Sequence, residues 1–183
     1  MRYLFYIYNI IGFKVCWWAC VLGAVSSQKY LGPGLVLLYL FIHLYNIPSK
    51  LRNSEIYLLL VAGIFGTLVD SLFLNLNMLS YEGMYSNISC IAPLWITGMW
   101  VGFTATLNHA FKKIIGKYFT QTILGLIFGP IAYMTGNSLN AIKFNLAYNE
   151  NLILIIIAIA WGFSFPFLCW ISNKIRGKNE RNS

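Results

Sequence analysis

The sequence predicts an all-α fold, a polytopic transmembrane bundle of six helices with the N- and C-termini both cytoplasmic. Three observations lead there. The 183 residues are 58% hydrophobic and only 10% charged, whereas an ordinary globular domain is roughly 25% charged. The apolar residues fall into six runs separated by polar breaks, enough for spans of about 20 residues with short loops. The basic residues, Lys14 excepted, fall outside those runs rather than within them.

The runs cover residues 4–25, 33–46, 55–76, 93–111, 119–137 and 152–172. The first follows Arg2 and ends in VLGAVSS. Lys14 interrupts what would be the core of a signal peptide, and WWAC lacks the aliphatic lead of a lipoprotein cleavage site, so the run reads as a retained first span. The second is short and opens at Gly32-Pro33-Gly34, where proline is tolerated in a first helical turn. The third opens at Asn53-Ser54-Glu55, read as a cap followed by a first-turn acid. The fourth opens at Ala92-Pro93. The fifth and sixth contain Pro130 and Pro166, each expected to kink its helix. Residues 1–173 thus form one transmembrane domain, and residues 174–183 a basic cytoplasmic tail.

Charge fixes the orientation. With the N-terminus inside, the cytoplasmic segments hold Arg2, then Lys50 and Arg52, then Lys112, Lys113 and Lys117, then Lys174, Arg176, Lys178 and Arg181. The outer loops hold only Lys29 and Lys143, and Lys14 completes the 13. This is the positive-inside asymmetry. It also accounts for the net charge of +8 without nucleic acid, since no basic patch carries the interleaved aromatics of a single-strand binder. Cys16 and Cys20 share a helix face, but no nearby ligands complete a metal set. No metal and no cofactor are expected. The motifs of nucleophile elbows, HExxH zinc sites and phosphate loops are all missing.

Asp70, in GTLVDSLF, is the only charged residue between Glu55 and Glu82. A carboxylate in hydrocarbon costs about 2.5–3.5 kcal/mol on insertion scales and marks a functional candidate by default. Gly63, Gly66, Thr67 and Asp70 recur at helical spacing, so they line one stripe that another helix can approach closely. Asp70 therefore points into the bundle, either as a ligand anchor or as a packing acid. Lys14 is its candidate charge partner. By rise per residue, Lys14 lies about 15 Å and Asp70 about 23 Å from the cytoplasmic side; snorkelling of Lys14 to the interface is the competing reading. On the fourth run, Trp100, Thr104 and Asn108 share a face that would wall a polar cavity. Trp95 and His109 read as cavity contacts or as interface anchors, and His43 has the same two readings. On the fifth, Gly125 and Gly129 form a small-xxx-small pair beside Pro130 and Tyr133.

Four stretches, GFKVCWWACVLGA, GTLVDSLF, APLWITGMWVGFTATLNH and GPIAYMTG, together resemble domain-of-unknown-function family 2878, a family of small bacterial inner-membrane proteins. The resemblance runs from about Asn9 to about Tyr133. Its matched polar positions are Asp70, Trp95, Trp100, Asn108, His109, Pro130 and Tyr133. It implies a multi-pass protein of the bacterial inner membrane and supplies no activity.

Three functions stand after this reading. The first is binding or transport of a small molecule or lipid in an intramembrane cavity built from Asp70, Thr67, Trp100, Thr104, Asn108 and Tyr133. The second is an accessory subunit of a membrane complex, partnered by another membrane protein. The third is a lipid-modifying enzyme using Asp70 or His109, which the separation of those two residues in depth disfavours. The lipid bilayer is the partner common to all three.

Overall fold

The computed structural model describes residues 2–181, with side chains described over residues 4–175. Six α-helices follow one another: α1 (Arg2–Val25), α2 (Leu31–Asn46), α3 (Ser49–Asn75), α4 (Leu94–Leu107), α5 (Tyr118–Ser138) and α6 (Glu150–Arg181). Each of the six apolar runs forms one helix. Three helical segments, Leu4–Val25, Ser49–Asn75 and Glu150–Ile175, are long and apolar enough to cross a membrane. The 14 residues of α4 extend only about 21 Å at 1.5 Å per residue, less than the ~30 Å of a bilayer's hydrocarbon core.

Burial runs opposite to that of a water-facing helix. On α3 the outward side chains Leu60, Ile64, Leu68 and Leu72 recur every fourth residue and are 57–65% exposed. The inward face carries Gly63, Gly66 and Asp70. A continuous apolar outer stripe of this size fits lipid or another protein rather than water.

Three helix boundaries differ from expectation. The third helix starts at Ser49, directly after Pro48, and not at Glu55. Proline fixes the backbone just before the first turn, and Ser49-Lys50-Leu51-Arg52 then continue as helix. Glu55 therefore sits in the second turn, 1% exposed, and not as a surface cap acid. The fourth helix ends at Leu107, which leaves Asn108 and His109 in the turn that follows. Helices α5 and α6 continue through Pro130 and Pro166. The sixth also runs on to Arg181, through most of the segment expected as a tail; Asn182 and Ser183 of that segment lie outside the described residues.

The strands were not foreseen. β1 (Leu79–Tyr81) pairs antiparallel with β2 (Ile142–Phe144), with Leu79 opposite Phe144 and Tyr81 opposite Ile142. Three-residue strands inside connecting loops carry too little alternation to be legible. They form because α3 and α5 end in the same way. Asn77 and Asn140 adopt positive φ, of 54° and 60°. The next amides reach back, Met78 N–H to the Phe73 carbonyl and Ala141 N–H to the Gly136 carbonyl, both at 3.0 Å. These are Schellman-type ends with asparagine in the left-handed position. Each turns its chain back over the bundle, and the two returning segments pair.

Candidate functional site

Asp70 lies five residues before the end of α3, about 7–8 Å along the axis. Pairing of β1 with β2 points Tyr81 inward from the strand layer above it. Asp70 is fully buried and accepts three hydrogen bonds. Tyr133 of α5 donates its hydroxyl to Oδ1 at 2.6 Å, Tyr81 donates to the same oxygen at 2.8 Å, and the indole N–H of Trp100 on α4 donates to Oδ2 at 2.6 Å. Every one of these partners is a donor, the set that a carboxylate accepts. Burial, and next the charge of Asp70, push the Tyr81 hydroxyl well above its ordinary value, so it keeps its proton as a donor.

Two glycines make this geometry available. Gly66, one turn before Asp70, lies directly against the ring of Trp100, where any Cβ would overlap the indole. Gly129 on α5 leaves the same kind of room for Trp161 of α6. The two indoles then stack, with centroids 4.5 Å apart and planes within 11°.

Beside this node runs a cavity of about 540 Å³ bordered by α1, α4, α5 and α6. Asp70, Tyr133, Trp95 and Ile142 line one end of it, and Thr106, Ala110 and Phe111 line the other. Trp95 and Thr106 alone are eleven residues apart on α4, about 16 Å, so the space is elongated along the bundle. Between the ends its walls are aromatic and aliphatic, with Phe13, Trp17, Met99, Phe103 and Trp161 prominent. Tyr6 and Phe128 also line it while being 41% and 60% exposed, which places an opening between α1 and α5.

The expected site residues separate into groups. Asp70, Trp100 and Tyr133 converge, with Tyr81 as a partner that the sequence did not suggest. Trp95 lines the cavity and is anchored by its indole N–H on the Glu82 carbonyl at 2.8 Å. Lys14 lines the cavity from its exposed position on α1 and forms no ion pair with Asp70 among the described contacts. Thr67 bonds the Thr97 hydroxyl at 2.6 Å and joins α3 to α4 outside the cavity. Thr104 is fully buried and does not line the cavity either. Pro130 sits within α5 next to Gly129 and is likewise not part of the lining.

Asn108 and His109 belong to a second polar node at the other end of α3. Glu55 lies there, fifteen residues from Asp70, about 22 Å along the helix. It accepts from Asn108 and faces His43 and His109. Glu55, His43 and His109 are the one His/Cys/Asp/Glu group among the described residues arranged closely enough to hold a metal ion. Reading Asn53-Ser54-Glu55 as a cap concealed this node. Pro48 immediately before an unbroken helical stretch was the signal that could have revealed it.

The Thr67–Thr97 pair bridges two helices away from both nodes. Thr67→Val should cost about 1 kcal/mol, the net worth of one such bond. Thermal unfolding in detergent checks this, and occupancy of the cavity should not change.

The model of the family described as "Protein of unknown function (DUF2878)" matches residues 6–167, most of the chain. The chain belongs to this family. No curated protein and no solved structure matches it. Within this DUF2878 protein, all four sequence stretches that carry the resemblance contribute to the cavity: Lys14 and Trp17 come from the first, Asp70 from the second, Trp95 and Trp100 from the third, and Ala132 and Tyr133 from the fourth.

Proposed function

We propose that this protein is a multi-pass integral protein of the bacterial inner membrane, with six spans and both termini cytoplasmic, that binds or transports a lipid or small apolar molecule in the cleft beside Asp70. The observation that carries this reading is the elongated cavity of about 540 Å³, largely apolar, with the Asp70 carboxyl among its few polar lining groups. Its size falls within the range of about 300–1,000 Å³ typical of ligand pockets, which are largely apolar with a few placed polar groups. Exposed apolar side chains on α1 and α5 such as Ile11, Val15 and Ile127 adjoin the lining residues Ile10, Lys14 and Phe128 in sequence. In a bilayer the opening between α1 and α5 faces acyl chains, so a ligand can enter sideways without crossing water. A narrow slot suits a chain-like molecule better than a compact one. Asp70, Tyr133 and Trp100 line the slot, and Lys14 offers a cation at its wall.

The two polar nodes are too far apart to act as one acid–base pair, because a general base must reach its proton directly or through one water. That disfavours an enzyme using Asp70 and His109 together. Binding and an accessory role are separated by filling the slot. Ala132 lines it on α5, and Ala132→Phe adds a ring there while leaving Asp70 and its three donors unsubstituted. Mass spectrometry of molecules released from the purified wild type should find a lipid or metabolite bound. The variant should carry at least tenfold less. Equal loads in both proteins, or none in either, would refute a ligand in this cavity.

A further inference from the structure

The node at the other end of α3 takes no part in the cleft, and its geometry carries an inference of its own. His43 Nε2 lies 3.3 Å from Glu55 Oε1, and His109 Nε2 lies 4.0 Å from the same oxygen. The candidate ligand atoms of the three residues all fall within 4.8 Å of one another. They come from α2, from α3 and from the turn after α4.

The bonds behind these atoms fix their roles. Asn9 Nδ2 donates to the Phe5 carbonyl at 2.7 Å, and Asn9 Oδ1 accepts from the Tyr39 hydroxyl at 3.0 Å. The same Oδ1 lies 2.8 Å from His43 Nδ1. An oxygen that only accepts requires the proton on Nδ1. In the neutral ring, the Nε2 lone pair then points at a carboxylate oxygen. Two electron-rich atoms brought together in a buried site need a positive centre, either a proton or a metal ion. The other oxygen of Glu55 accepts from Asn108 Nδ2 at 3.1 Å, and Asn108 Oδ1 accepts from Ser172 at 2.7 Å. So His43 and Glu55 are each held from behind by a second layer of hydrogen bonds, the arrangement that orients metal ligands. A simple ion pair needs one imidazole, and here two converge on a single oxygen.

We propose that His43 Nε2, Glu55 Oε1 and His109 Nε2 bind a divalent transition-metal ion. Two imidazoles and one carboxylate suit zinc and its first-row neighbours. Metal–ligand bonds of about 2.0–2.2 Å place tetrahedral ligands about 3.4 Å apart. The His43–Glu55 pair already has that spacing. His109 closes the remaining distance from a turn in which its side chain is 16% exposed while Nε2 itself is buried, so rotation of this ring admits the ion. A water molecule takes the fourth position. The ion clamps α2, α3 and the α4–α5 connection together at this end of the bundle.

The test uses the full chain, purified in detergent, stripped with a chelator and dialysed against zinc. About one equivalent should be retained, and the unfolding temperature should rise with zinc concentration. Cobalt(II) in its place should give the visible bands of nitrogen and oxygen ligation without thiolate charge transfer. His43→Gln, Glu55→Gln and His109→Gln should each weaken zinc binding at least tenfold. His109→Gln is the decisive variant, because a partly exposed side chain can be exchanged without opening the core. A folded wild type that retains no zinc would overturn the proposal, with or without foldable variants. So would uptake undiminished in His109→Gln, or a cobalt spectrum dominated by thiolate bands, which would place the ion on cysteine.

Discussion

Asp70→Asn is expected to destabilise this protein by about 2–4 kcal/mol, the cost of leaving buried donors without an acceptor. The carboxylate is fully buried and receives hydrogen bonds from Tyr133, Tyr81 and Trp100. Asparagine keeps a single acceptor oxygen. If that oxygen serves the two tyrosines, the new amide N–H₂ meets the indole N–H of Trp100, donor against donor. The double variant Asp70→Asn/Trp100→Phe removes that conflict. It should therefore be less destabilised than the sum of the two single variants, a coupling measurable by a double-mutant cycle in thermal or denaturant unfolding. If Asp70→Asn unfolds with the wild type, the three-donor node does not hold α3, α4, α5 and the β1 strand together. The same variant also separates structure from function. A form that stays folded yet loses its bound molecule makes Asp70 a ligand anchor.

Gly66→Ala should have an effect of similar size, about 1–3 kcal/mol from overpacking, although it adds only one methyl group. The added Cβ would overlap the Trp100 ring. The indole has little freedom to retreat, because it is stacked on Trp161 and bonded to Asp70. Displacing it breaks the Asp70 bond and pushes aromatic volume into the slot, so bound ligand should be lost along with stability. Gly34→Ala is the matched control. Gly34 lies on α2 with nothing within 4 Å of its would-be Cβ, so alanine there should be neutral or stabilising by about 0.5–1 kcal/mol through helix propensity. Unfolding temperatures of the two variants, with tryptophan fluorescence reporting the Trp100–Trp161 stack, check the contrast. Equal behaviour of the two would mean that α3 and α4 can separate at no cost.

The exposed pair Lys143–Glu82, at 2.6 Å but with side chains 58% and 43% exposed, stands at the other extreme. Lys143→Ala should change stability by less than about 1 kcal/mol, since solvent screens such pairs.

Much of this was legible in the residues alone. Composition and the length of the apolar runs gave six helices, because helix formation in an apolar chain depends on local content and needs no knowledge of neighbours. The spacing of Gly63, Gly66 and Asp70 put them on one inward face, because the helical period is fixed. Each of the four stretches resembling the DUF2878 family contributes residues to the cavity wall, which α6 and the rest of α5 complete. Tertiary structure alone decided which polar groups meet. Tyr81 reaches Asp70 only because two asparagine-capped helix ends return over the bundle and pair as strands of three residues each, a long-range event with no local period. Asn108 and Thr104 share a helical face with Trp100 in sequence, yet the packing of α4 sends Trp100 to Asp70 and Asn108 to Glu55. Glu55 and His43 lie twelve residues apart on different helices, and the turn at Pro48 folds one against the other. Local periodicity fixes the direction in which each side chain points. What it meets there is set by the packing of other helices, and that information lies outside any single stretch of the chain.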